Sequence, residues 1–173
     1  MFGFIGNYFK NKQAQKPAPI PTPVQRRTRS KHTINYDPNL IQELEDDHGA
    51  LVELFGRIWS EGFETKNYVK TASLISQFKS DFQAHLLTEN VKFYVYLEQS
   101  LAEDPHNYAI VKEFRADMNE IANAAVKFCK KYQCDFSPAL VKQFKDDYQQ
   151  VGEVLTRRVS LEEKSLYILY QPR

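Results

Sequence analysis

Between residues 41 and 58 the apolar side chains recur in alternating steps of three and four, so that Ile41, Leu44, Leu51, Phe55 and Ile58 share one helical face. His48 is the only polar member of that line. The same spacing carries Leu74, Phe78, Phe82, Phe93 and Tyr96, with His85 and Glu89 one turn apart within it. A third line, Val111, Phe114, Met118, Ile121, Ala125, Phe128 and Tyr132, is apolar throughout. A fourth runs through Val141, Phe144, Tyr148, Val151, Leu155, Leu166 and Leu169 and takes in Arg158 and Glu162. Asp37 as cap with Pro38 in the first turn predicts the start of the first helix, which ends near Gly62. The second covers residues 66–101, Asp104 and Pro105 open the third, and Ser137 and Pro138 open the fourth. Long amphipathic helices joined by short connections predict an all-α, up-down-up-down four-helix bundle over residues 37–173. No strand pattern, internal repeat, glycine-rich phosphate loop or nucleophile motif accompanies them.

Ahead of the bundle the pattern changes twice. In residues 13–36, Pro17, Pro19, Pro21 and Pro23 alternate before Arg26, Arg27, Arg29 and Lys31, with no apolar period, which predicts an extended, solvated linker. Residues 1–12 hold Phe2, Phe4, Ile5 and Phe9 beside Lys10 and Lys12. Such a segment is too short to span a bilayer, and it suits weak peripheral membrane contact or docking to a protein. With 42% hydrophobic and 26% charged residues in 173, the chain suits one globular domain. A formal charge of +1 gives no general attraction to nucleic acid. Cys129 and Cys134 are too few for a disulfide framework, and no signal peptide or long apolar span is present. The expectation is a cytoplasmic protein with structural, reduced cysteines.

The chemistry of the chain lies in the polar members of the core lines. Burying an imidazole or a carboxylate without a partner costs roughly several kcal/mol. Counting about 1.5 Å of rise per residue from the turns places His48, His85, Glu89, Arg158 and Glu162 in one layer, with Arg115 and Glu163 at its edge. Such a layer has two readings. His48, His85, Glu89, Glu162 and Glu163 form a ligand set suited to iron, zinc or manganese, and Glu113 or Asp117 could add a carboxylate. Alternatively Arg158, always charged and without a lone pair to donate, is itself the cation and pairs with Glu89 and Glu162 in a metal-free layer.

These residues also carry a resemblance. His85-Leu86-Leu87-Thr88-Glu89-Asn90 followed by Phe93-Tyr94 resembles the second-helix motif of hemerythrin-like (HHE cation-binding) domains, and His48 in Asp47-His48-Gly49 resembles their first-helix histidine. Arg158-Val159-Ser160-Leu161-Glu162-Glu163 resembles the last-helix motif, with Arg158 where a histidine is expected and Arg115 where the third helix should supply one. The resemblance covers residues 40–170 and implies a hemerythrin-like bundle that holds a mono- or di-iron centre in its intact form. A second resemblance, over residues 152–164, is to bacterial regulator of sigma D proteins, metal-free bundles that bind a protein partner. The leading expectation is a non-enzymatic regulatory or interaction module without cofactor, its metal site degenerate. The alternative is an iron-binding sensor or oxygen-binding protein.

Overall fold

The computed structural model describes residues 34–173. The aromatic segment with Phe2, Phe4, Ile5 and Phe9, and the proline-rich stretch up to residue 33, lie outside the described residues.

The described residues form four helical rods. The first is α1 (Leu40–Arg57), which runs on through a π-helical turn, Ile58–Phe63. The second consists of α2 (Tyr68–Thr88), a π-helical turn at Glu89–Tyr94 and α3 (Val95–Ser100) in unbroken succession. The third is α4 (Pro105–Tyr132), and the fourth is α5 (Pro138–Leu161) followed by a π turn, Glu162–Leu166, and a 3-10 turn, Tyr167–Leu169. α1 packs on α2 and α5, and α4 packs on the same two helices, which closes the four rods into a bundle. No strand occurs among the described residues.

The starts of α4 and α5 match the sequence signals. Asp104 accepts a hydrogen bond from the Asn107 N–H at 3.1 Å, and Ser137 accepts one from the Leu140 N–H at 3.3 Å, each with proline in the first turn. Asp37 does not cap α1. Its carboxylate accepts from the Asn39 N–H at 3.0 Å, a local turn that delays the helix to Leu40. Of the stretch read as linker, residues 34–36 are described, and they touch the bundle while Asn35 and Tyr36 stay exposed. Ile34 N–H donates to the Gln99 side chain at 3.2 Å, and the Tyr36 ring stacks on Tyr170 at 5.0 Å. Apolar groups at the end of the tether gain more from this cover than from water. Cys134 lies beyond the end of α4 and is exposed, whereas burial pushes the Cys129 thiol up to about 12 and leaves it inert.

The core falls into two apolar clusters. One gathers Leu54, Ile58, Leu74, Phe78, Phe82, Met118, Phe128 and Phe144, and the other Leu40, Leu44, Phe93, Tyr94, Val111, Leu166 and Tyr167. His48 sits between the clusters on α1, His85 and Glu89 on the second rod, and Arg158 and Glu162 on the fourth. The π turns of the second and fourth rods begin at Glu89 and Glu162, the two carboxylates of the layer, and within the first of them the neighbours Phe93 and Tyr94 are both fully buried.

Candidate functional site: a buried polar layer

Every polar side chain in the layer is withdrawn from solvent: His48 and His85 are 4% exposed, Arg158 4%, Glu162 1% and Glu89 0%. The two imidazoles face one another with ring centroids 4.8 Å apart. Nδ1 of His48 lies 3.0 Å from Glu163, and its Nε2 lies 3.4 Å from Glu162 and 3.4 Å from the Tyr167 hydroxyl. Nδ1 of His85 lies 3.3 Å from Asp47, while its Nε2 is 4.0 Å from Glu89, beyond hydrogen-bond reach. Arg158 donates from Nε to Glu162 at 2.6 Å and from Nη2 to the Tyr94 hydroxyl at 2.7 Å, and its guanidinium lies over the Phe114 ring at 4.9 Å.

The two oxygens of Glu89 are buried without a hydrogen-bond partner among the described residues. Arg158 therefore serves Glu162 and not Glu89, which differs from the pairing expected of a metal-free layer. The i, i+4 step along the fourth rod places Arg158 directly under Glu162, and the guanidinium then reaches across to Tyr94. Burial, reinforced by the negative charge of Glu162, pushes the Glu89 carboxyl up to about 8, against the opposing pull of His48 and Arg158. Burial also lowers the His85 imidazole, as does the charge of His48. For His48 burial acts in the same sense but is outweighed by the hydrogen bonds with Glu162 and Glu163, so its pKa is raised.

Other predicted residues stand further off. Arg115 is not in the buried layer. Its side chain is 31% exposed, its Nη1 binds Glu98 at 2.8 Å, and it touches the layer only through the Tyr94 ring, 5.6 Å from the guanidinium. Glu163 is 38% exposed and reaches the layer from the rim. Glu113 and Asp117 are exposed on α4, and His106 is exposed at its start. α4 supplies Phe114 and Met118 at this height and no ligand. Sequence reasoning missed Asp47, Tyr94 and Tyr167 as partners. Asp47 adjoins His48 in sequence, and Tyr94 stands five residues after Glu89, a spacing that faces inward only in a π turn.

The family model described as Hemerythrin HHE cation binding domain matches residues 39–169. The chain belongs to the hemerythrin HHE family. Among curated proteins, this hemerythrin-family chain is 38% identical over 87 residues to the Transcript termination protein A18 of Rabbit fibroma virus (strain Kasza). It is 37% identical over 87 residues to the protein of the same name from Myxoma virus (strain Lausanne). Each match covers 47% of this chain and spans 18% of the length of the viral protein. No solved structure matches. The likeness of residues 152–164 to regulator of sigma D proteins finds no support in these comparisons.

Whether the layer suits the family's metal is a question of donors. Among the described residues no group of three or more His, Cys, Asp or Glu side chains is disposed to hold a metal ion. Two ions do not fit, because α4 brings apolar side chains and Arg158 brings a permanent positive charge where further ligands would be needed. Within the layer, the orphaned oxygens of Glu89 are the feature that suits a cation.

Proposed function

We propose that this hemerythrin-family bundle is a non-catalytic regulatory module that contacts a protein partner through its outer helix faces, with Arg158 in place of metal in its core. The observation that carries the reading is the buried guanidinium, bound to Glu162 at 2.6 Å and to Tyr94 at 2.7 Å. Arg158 neutralises Glu162, Glu162 and Glu163 favour the charged form of His48, and His85 and Glu89 are pushed toward their neutral forms. The charges of the layer close on themselves. Such a layer ties the first and second rods to the fourth, since slipping either by one turn would part His48 from Glu162 and Glu163, or Arg158 from the Tyr94 hydroxyl. A second reading rests on Glu89 and on the carboxylate-backed imidazoles. His48, His85, Glu89 and Glu162 would have to turn toward one another to hold a single divalent ion, with Asp47 and Glu163 orienting the rings.

Elemental analysis separates the two readings. The full chain is purified without chelator, loaded anaerobically with iron(II), desalted and measured beside Glu89→Gln. Metal well below one equivalent in the native chain is the expected result. Near one equivalent in the native chain, lost in Glu89→Gln, overturns it in favour of the single-ion centre.

A further inference from the structure

Between α1 and α5, against the polar layer, the bundle leaves a cavity of about 70 Å³. Its walls are apolar, built from Leu51, Phe55, Phe78, Phe82, Met118 and Leu155, and its inner end is formed by His48, His85, Arg158 and Glu162. The outer end carries Val52, 57% exposed, and Thr156, also exposed, so the cavity opens to solvent between the two helices. Gly152 lines it as well, and a Cβ there would stand 3.1 Å from Cε1 of Phe55, so the glycine leaves that ring its place in the wall.

Size and charge define what can enter. An apolar cavity of about 150 Å³ holds benzene, so one of half that volume holds about three or four heavy atoms. Water gains little there, because it needs two to four polar partners and most of the wall offers none. At the inner end Arg158 and Glu162 present opposite charges side by side. An ammonium group meets the guanidinium, and a carboxylate meets Glu162. A neutral hydroxyl suffers neither repulsion, since it can accept from the guanidinium or an imidazole and donate to an imidazole or the carboxylate. We propose that this cavity binds a short, neutral aliphatic alcohol, its chain along Leu51, Phe55 and Leu155 and its hydroxyl at the end formed by His85 and Arg158. The site gives the module a small-molecule input, and it rests on the metal-free layer of the proposed function, whose own failure the iron loading reports separately.

Met118 lines the cavity and Met1 is the other methionine of the chain, so methyl-13C-methionine labelling of the full chain yields two signals, one of them inside the site. The labelled protein is titrated with ethanol, 1-propanol, 1-butanol and 1-hexanol, and with ethylammonium and acetate as charged counterparts that fit the cavity. The Met118 methyl shifts saturably. Binding tightens about fourfold for each methylene that finds apolar cover, and the gain ends at 1-propanol, whose heavy atoms fill the cavity. Val52→Trp at the exposed mouth and Leu155→Phe inside the cavity each weaken 1-propanol binding at least about tenfold, with helical circular dichroism retained as the check on folding. A Met118 signal that no alcohol moves overturns the proposal, as do charged counterparts that bind as tightly or unchanged affinity in both variants.

Discussion

Replacing Glu89 by glutamine removes the ionisable group while keeping its shape, and the surroundings of that side chain fix the expected outcome. The carboxyl is 0% exposed, has no partner for either oxygen, and is pushed from an ordinary 4.5 up to about 8. Between those values the native chain holds a proton that the unfolded chain releases, so native stability falls as pH rises, by roughly 1.4 kcal/mol per pH unit from this group. Glutamine has no such slope. Near pH 5 the variant and the native chain should differ by less than about 1 kcal/mol, and by pH 7 the variant should be the more stable by roughly 3 kcal/mol, which is about 2.5 pH units of that slope. Urea denaturation followed by circular dichroism at pH 5, 6, 7 and 8 measures the difference. A stability difference that stays flat across that range would refute the argument, because Glu89 would then be ionised in the native state and a cation would have to be balancing it.

Arg158→Met should lower stability at pH 7 by about 3–5 kcal/mol, since Glu162 loses its buried counter-charge; Arg158→Met combined with Glu162→Met should recover most of that in urea melts, and a single-variant loss under about 1 kcal/mol would contradict the pairing. Imidazole nitrogen NMR should show His48 titrating above 6.5 and His85 below it. The stability from His48 is present below pH 6.5 and lost as pH rises through its raised value, whereas the cost of charging His85 appears as pH falls below 6.5; coincident titrations would remove both causes. Gly62→Ala should cost roughly 1–3 kcal/mol in thermal or urea unfolding, because its Cβ would stand 2.7 Å from Oγ1 and 2.9 Å from Cα of Thr71, part of the α2 backbone; a neutral effect would show that the first two rods can separate there.

How much was legible in the chain differs from residue to residue. The line Leu74, Phe78, Phe82, His85, Glu89, Phe93, Tyr96 is buried at every position, because a helix packed on one face converts a period in sequence directly into burial. Asp104 and Ser137 acted as the caps they resembled, since capping is decided within four residues. Asp37 failed as a cap because its carboxylate found a closer N–H two residues on. Arg115 counted to the edge of the layer and lies outside it, bound to Glu98, because rise along a helix says nothing about which way a long side chain turns.

The sequence by itself determined the four rods, the face each one buries, and the presence of histidines, acids and an arginine among the core positions, since periodicity and capping are properties of neighbouring residues. Only the tertiary structure decided how those polar groups pair. That Arg158 serves Glu162 and Tyr94 and leaves Glu89 alone, that Asp47 and Glu163 back the two imidazoles, and that a cavity opens beside them all depend on distances between rods. Those distances are set by packing and by the π turns that rotate the ends of the rods, and no local pattern in the chain encodes them.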